Sequence, residues 1–72
     1  MKKVFKLQDL DCANCAAKME RAIAKLPGVQ QVSVNFLTQK MTLEADEADF
    51  ARILDEACQC IRKVEPDCIV IR

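Results

Sequence analysis

Between residues 26 and 36 the chain reads Leu26-Pro27-Gly28-Val29-Gln30-Gln31-Val32-Ser33-Val34-Asn35-Phe36. A Pro-Gly pair does not continue a helix, so it ends the helix that precedes it. After the pair, Val32, Val34 and Phe36 recur at every second position, which is the period of a strand with one buried face. This stretch therefore predicts that a helix stops at Leu26 and that a strand follows over residues 29–36.

The residues before this stretch predict a strand and then that helix. Over residues 4–8 apolar and polar side chains alternate, with Phe5 and Leu7 on one face. From residue 13 to residue 26 the apolar positions recur at spacings of three and four, as in an amphipathic helix. These positions are Ala16, Met19, Ile23 and Leu26.

The residues after the stretch predict a hairpin, a second helix and a last strand. Met41, Leu43 and Ala45 alternate again and predict the second strand of the hairpin. Asp46 is predicted to cap the second helix, with Asp49 at the third position of that helix. The buried stripe of the helix is predicted to be Phe50, Ile53, Leu54, Ala57, Ile61 and Val64, and Pro66 separates the helix from a strand over residues 68–71.

The order of these elements is strand, helix, strand, strand, helix, strand, in which each half is a split unit of about 35 residues. This order predicts an α+β fold, a ferredoxin-like βαββαβ sandwich. Both helices must lie on one face of the four-stranded antiparallel sheet, because each helix has a single apolar stripe. A chain of 72 residues is too short for two cores, so we expect one domain over residues 1–72.

Composition and charge exclude several classes of function. With 11 basic and 11 acidic residues the net charge is zero, so no positive field attracts nucleic acid. No apolar run approaches the roughly 20 residues that span a bilayer, and no signal-peptide core follows Met1. We therefore expect a cytoplasmic segment that does not insert into a membrane, although its parent protein could be a transporter in the cell membrane.

The five cysteines are the strongest chemical signal in the sequence. Their number is odd and no export signal is present, so metal binding is a better interpretation than a disulfide framework. Cys12 and Cys15 are three positions apart where the first strand gives way to the first helix. The dipole and free N–H groups of a helix start favour the thiolate, which is the form that binds soft metals.

The sequence around this pair resembles the heavy-metal-associated domain. The resemblance rests on Leu10-Asp11-Cys12-Ala13-Asn14-Cys15-Ala16, on Leu26-Pro27-Gly28-Val29 and on Val32-Ser33-Val34-Asn35-Phe36. That family comprises small metallochaperones and the N-terminal domains of metal-pumping P-type ATPases, so the resemblance implies a ferredoxin-like fold and metal transfer. The family usually has Gly-Met where this chain has Asp9-Leu10, which affects the expected geometry of the loop because glycine accepts backbone angles that aspartate adopts less readily.

Asp11 bears on the choice of metal. Two cysteines suit Cu(I), whereas Zn(II) usually takes four ligands and accepts carboxylate oxygen. Within the family, an aspartate before the first cysteine resembles the domains of zinc-, cadmium- and lead-exporting ATPases. We therefore expect one Zn, Cd or Pb ion on Cys12, Cys15 and Asp11, in preference to Cu(I). The competing interpretation is that Asp11 only caps the helix.

The other cysteines and the basic residues are assigned to packing and to solvent. Cys58 and Cys60 flank the buried stripe of the second helix on opposite sides, and Cys68 alternates with Val70 toward the core. The basic row of Lys18, Arg21 and Lys25 could dock an acidic partner but is more simply a solvated helix face.

Three functions from different classes are compatible with these features. The first is a metal-transfer module, either the N-terminal domain of a metal-exporting ATPase or a free copper(I) chaperone. Its partners would be the transmembrane or other domains of that ATPase, or a second metal-binding domain. The second is a thiol-disulfide redox protein, because Cys-X-X-Cys at a helix start also occurs in thioredoxin, although the element order argues against it. The third is a structural domain that takes up no metal. No histidine, paired catalytic carboxylates or phosphate-binding loop indicates an enzyme.

Overall fold

The computed structural model describes residues 1–72. Its elements follow the predicted order: β1 Lys2–Gln8, α1 Ala13–Ala24, β2 Val29–Asn35, β3 Lys40–Ala45, α2 Phe50–Val64 and β4 Ile69–Ile71. Neither helix is long and apolar enough to cross a membrane.

The strands form one sheet in the order β2-β3-β1-β4, and every neighbouring pair is antiparallel. The helices α1 and α2 contact each other and cover one face of this sheet. On that face the strand side chains are buried, as Phe5 and Leu7 of β1 and Met41 and Leu43 of β3 show. The predicted α+β ferredoxin-like sandwich is therefore confirmed.

The core is a single cluster of 15 buried residues between the sheet and the helices. It contains Ala16, Met19 and Ile23 of α1 and Phe50, Ile53, Leu54, Ala57 and Ile61 of α2, as the helical stripes predicted. Leu26 and Val64, which were predicted to complete the stripes, are only half-buried and pack against the edge of the core cluster. A fully buried Leu or Ile stabilises the fold by about 1.5–3 kcal/mol, so the stripes hold the helices on the sheet. The remaining members are Phe5, Leu7, Leu10, Met41, Leu43, Ala45 and Cys68.

The predicted start of α2 is wrong. Asp46 does not cap the helix, which begins at Phe50 with Asp49 as the residue before it. Residues 46–49 form a turn in which the Asp49 N–H donates to the Asp46 carbonyl at 3.1 Å. The Asp46 carboxylate instead accepts a hydrogen bond from the Gln30 side chain at 3.1 Å. The chain needs this turn to leave β3 before a helix can start.

Several other element ends lie one or two residues from their predicted positions, and β1, for example, begins at Lys2 instead of residue 4. Helix α1 ends at Ala24, because the N–H groups of Lys25 and Leu26 bond to carbonyls three residues back and tighten the last turn. Strand β2 ends at Asn35. Strand β4 begins at Ile69, because the Cys68 N–H donates to the Glu65 carbonyl at 3.0 Å in a turn.

Gly28 makes the sharp connection between α1 and β2. Its φ of 93° lies in the left-handed region, which glycine accepts and other residues do not readily adopt. A Cβ at this position would lie 2.9 Å from Cδ1 of Ile53 in α2. The glycine therefore serves both the turn and the close approach of α2.

Strand pairing brings three connections to one end of the sandwich. Lys6 of β1 pairs with Lys40 of β3, so the β1–α1 loop, residues 9–12, lies beside the β2–β3 turn, residues 36–39. Gln8 of β1 pairs with Ile69 of β4, which places the α2–β4 turn, residues 65–68, at the same end. The predicted metal ligands belong to this end.

Candidate metal site

Cys12 is the residue that caps α1. Its backbone is extended, with φ −136° and ψ 120°, and its Sγ accepts a hydrogen bond from the Cys15 N–H at 3.2 Å. Its carbonyl accepts the first helical hydrogen bond, from Ala16 at 3.1 Å. A sulfur thus occupies the position where an oxygen usually satisfies the free N–H groups of a helix start. The alternative in which Asp11 caps the helix is wrong, because Cys12 already fills that role.

Both thiols of the pair are free and half-buried. Hydrogen bonds from the side chain and the backbone N–H of Cys15 lower the pKa of the Cys12 thiol. The pKa of Cys15 is raised, first by its hydrogen bond to Cys12 and then by burial and by the charges of Cys12 and Glu65. In the metal-free chain, therefore, the Cys12 thiol ionises more readily than the Cys15 thiol, and a cation that binds both sulfurs displaces the remaining protons.

Glu65 lies next to the pair, a contact that no local pattern in the chain predicted. Its Oε2 is 4.0 Å from the Sγ of Cys15, and the two residues are separated by 50 positions in the chain. Burial raises the pKa of the Cys68 thiol, and the negative charges of Glu65, Asp9 and Asp11 raise it further. Three carboxylates are therefore near this end of the molecule, and the positive charge of Lys18 also acts on both thiols of the pair.

Asp9 adopts the backbone conformation for which the family usually has glycine. Its φ is 64°, in the left-handed region that aspartate tolerates better than most residues. The following Leu10 is only 1% exposed and fills the apolar slot under the loop. The amide of Gln39 in the β2–β3 turn bonds to the backbone of Leu10. The loop geometry is thus accommodated despite the missing glycine.

The structure brings together only part of the predicted ligand set. Cys12 and Cys15 lie side by side, and Asp11 is adjacent in sequence but exposed to solvent. No three Cys, His, Asp or Glu side chains are arranged as a group that could hold a metal ion. Ligation of a metal by Cys12, Cys15 and Asp11 stays a prediction.

The remaining cysteines lie against or in the core. Cys68 is 2% exposed and belongs to the core, as predicted. Cys58 and Cys60 are half-buried and pack against the core cluster. The Sγ of Cys58 also accepts a hydrogen bond from Arg72 at 3.4 Å.

A ferredoxin-like sandwich with a Cys-X-X-Cys pair at the start of its first helix has the architecture of a small metal-binding module. The chain belongs to the heavy-metal-associated domain family, whose model matches residues 4–63.

Related sequences come from both transporters and chaperones. The zinc/cadmium/lead-transporting P-type ATPase of Escherichia coli (strain K12) is 48% identical over 42 residues, which cover 58% of this chain and 6% of that protein. The copper chaperone CopZ of Enterococcus hirae is 31% identical over 64 residues, which cover 89% of this chain and 90% of that protein. This chain therefore corresponds to a small part of the ATPase and to nearly all of the chaperone.

Solved structures show the same fold. A CopZ metallochaperone superimposes with a TM-score of 0.77 over 99% of this chain and all of its own, at 17% identity. The N-terminal domain of PacS from Synechocystis PCC6803 gives a TM-score of 0.69 at 26% identity and covers 100% of this chain and 98% of its own.

Proposed function

We propose that this chain, as one domain over residues 1–72, binds one heavy-metal ion through Cys12 and Cys15, with Asp11 as a third ligand, and transfers the ion to a partner. The ion is Zn(II), Cd(II) or Pb(II) in preference to Cu(I). The observation that carries the proposal is the pair of free, half-exposed thiols at the start of α1. The domain itself is not an enzyme; it is a cytoplasmic N-terminal part of a metal-exporting P-type ATPase in the cell membrane.

The preference for a divalent ion is supported by the charges around the thiols. The carboxylate-bearing residue Asp11 directly precedes Cys12 in the chain. Glu65 Oε2 lies 4.0 Å from Cys15 Sγ. Carboxylate oxygen is a ligand for Zn(II), whereas Cu(I) prefers sulfur alone. The Escherichia coli relative is described as a transporter of zinc, cadmium and lead. These features together favour a divalent cargo.

Transfer follows from the open position of the pair. Cys12 and Cys15 leave part of their surface exposed, so the thiolates of a partner can enter the coordination sphere before the first ones leave. The ion then moves without release into water. The partner is another domain of the ATPase, including its transmembrane part, or a second metal-binding domain.

A second candidate is a free copper(I) chaperone. It is favoured by the match to the Enterococcus hirae copper chaperone, which extends over 90% of that protein. Competition between Zn(II) and Cu(I) for the wild-type chain, each buffered by a chelator of known affinity, distinguishes the two candidates. Retention of Zn(II) at buffered Cu(I) levels that load a copper chaperone would favour the transporter domain.

The binding itself is tested by native mass spectrometry with Zn(II), Cd(II) and Cu(I). We expect one ion per wild-type chain and none on the Cys12→Ser/Cys15→Ser variant. The matched control is Cys58→Ser/Cys60→Ser, which also removes two thiols, and it should bind as the wild type does. One-to-one binding that persists in the first variant would place the site elsewhere.

A further inference from the structure

We propose that Gln39, in the β2–β3 turn, is a positioning residue that holds the β1–α1 loop in the conformation that binds metal. This inference rests on the proposed function, because it assigns a role to a residue that supports the same site. Gln39 is 27 residues from Cys12 in the chain and carries no group that binds soft metals.

The Gln39 side chain pairs with both backbone groups of Leu10. Its Oε1 accepts a hydrogen bond from the Leu10 N–H at 3.1 Å, and its Nε2 donates to the Leu10 carbonyl. The same Nε2 donates to the Phe36 carbonyl at 3.1 Å, which ties the amide to its own turn. The Gln39 carbonyl also accepts a hydrogen bond from the Leu7 N–H at 2.7 Å. Gln39 therefore bonds to the chain on both sides of Asp9.

These bonds satisfy backbone groups that water reaches poorly. Leu10 is 1% exposed, and a buried N–H or carbonyl without a partner is costly. An amide side chain offers a donor and an acceptor side by side on one planar group, so it can pair with the N–H and the carbonyl of one residue together. Asparagine is one methylene shorter and would not reach as far.

The bonds also hold the loop in its left-handed conformation. Asp9 has a φ of 64°, which is unfavourable for a residue with a Cβ and needs support from its surroundings. Leu10 is two positions before Cys12, so a change at Leu10 moves the cap of α1 and with it the distance between the two sulfurs. A loop that is ordered before the ion arrives loses less entropy when it binds. Gln39 thereby strengthens metal binding without touching the ion.

The test uses two variants of the full chain and one control. Gln39→Gly removes the amide without straining the turn, because the φ of Gln39 is 56°, which glycine accepts. Gln39→Glu keeps the acceptor for the Leu10 N–H and loses both donated bonds. Thr38→Ala is the matched control, since the exposed side chain of Thr38 makes no hydrogen bond to the loop.

Two measurements are made at a temperature where all variants are folded. Cd(II) affinity is measured by chelator competition. The thiolate-to-cadmium absorption band reports how much Cd(II) is bound to the chain. Hydrogen exchange of the Leu10 amide in the metal-free chain is compared with that of Leu43 in the core. We expect Gln39→Gly to bind Cd(II) about ten- to a hundredfold more weakly, the range for groups that orient ligands, with Gln39→Glu between it and the wild type. The Leu10 amide should exchange faster while Leu43 does not, and Thr38→Ala should match the wild type.

The outcomes separate this inference from the proposed function. If the wild type itself binds no Cd(II), the proposed function fails and the inference fails with it. If the wild type binds Cd(II) and both Gln39 variants bind it equally well, only the role of Gln39 is overturned. Faster exchange at Leu43 in step with Leu10 would also overturn it, because the effect would then be a general loss of stability. If Gln39→Gly does not fold, the comparison of Gln39→Glu with Thr38→Ala decides.

Discussion

Cys12 and Cys15 carry the same functional group but have different neighbours. Cys12 precedes the helix and its sulfur accepts an N–H, whereas Cys15 lies in the first turn, 4.0 Å from the Glu65 carboxylate. The pKa of Cys12 is therefore lowered and that of Cys15 raised. Cys12 therefore ionises more readily than Cys15, although the two residues are equivalent in the sequence motif.

This difference predicts unequal reactivity. In the metal-free chain, iodoacetamide should alkylate Cys12 before Cys15, because the thiolate is the nucleophile. As the pH falls, the Cys12 rate should persist to a lower pH than the Cys15 rate, since a lowered pKa keeps the thiolate present there. Peptide mass spectrometry over a pH series measures both rates. Equal pH profiles would contradict the asymmetry.

Asp11 can now be tested without the ambiguity of a helix cap. Asp11→Asn should weaken Zn(II) and Cd(II) binding by about tenfold or more, because it removes the charge of the proposed third ligand. It should leave Cu(I) nearly unchanged, since two thiolates satisfy the softer ion. Chelator competition for each ion measures the effect.

The stability of metal-free Asp11→Asn is the control for that experiment. Because Cys12 caps α1 and Asp11 is exposed, the free energy of unfolding should change by no more than about 0.5 kcal/mol. Equal weakening of Zn(II) and Cu(I) would show that Asp11 is not a ligand.

At the scale of elements, the connections of this fold restrict the residue type at particular positions more than the helices and strands do. The β1–α1 loop depends on a left-handed Asp9 and on Gln39 from another turn. The α1–β2 connection depends on Gly28, which has a φ of 93° and lies under α2. Regular elements tolerate many residues of suitable polarity, whereas these connections need particular ones.

Gly28→Ala should therefore destabilise the metal-free chain by about 2–4 kcal/mol. The backbone conformation contributes about 1–2 kcal/mol of this, and crowding against Ile53 contributes the rest. Urea denaturation measures the free energy of unfolding. The crowding is isolated by adding Ile53→Val, which removes the Cδ1 that the new methyl would meet at 2.9 Å. The double variant should be more stable than the sum of the single effects predicts, and strict additivity would exclude crowding as a cause.

At the scale of the whole molecule, most of the core lies away from the site, although Cys15 packs against the edge of the core cluster. The helices and the sheet bury one continuous cluster, while the thiol pair lies in the connections at one end. Core residues other than Leu10 and Cys68 lie within regular elements. Changes in the core should therefore alter stability before they alter metal binding.

The three other cysteines provide that test. Replacement of Cys58, Cys60 and Cys68 by Ala should lower the free energy of unfolding by about 1–3 kcal/mol, mainly because Cys68 is 2% exposed and its removal leaves a small cavity. Cd(II) affinity should stay within a few-fold of the wild type. Thermal melts and chelator competition on the same samples give both values. A large loss of affinity in a folded variant would mean that one of these thiols takes part in binding.

Most of the fold could be predicted from the chain alone, because apolar periodicity reflects which face of each element is buried. The alternation of residues 29–36 and the stripes of α1 and α2 gave the right elements and most of the core. The start of α2 could not be predicted, since Asp46 and Asp49 are both acceptable caps by residue type. The tight turn after β3 selects Asp49.

The site, like the fold, could be predicted from the sequence only in part. The Cys12 and Cys15 pair is visible in the sequence because its spacing is local to one turn of helix. The contacts of Gln39 and Glu65 are not visible in the sequence, since Gln39 is 29 residues from Leu10 and Glu65 is 50 residues from Cys15. Strand pairing alone decides that these three connections meet, and no local pattern records which side chains then come into contact. Periodicity therefore determines the elements, and the tertiary structure determines which side chains surround the proposed metal ligands.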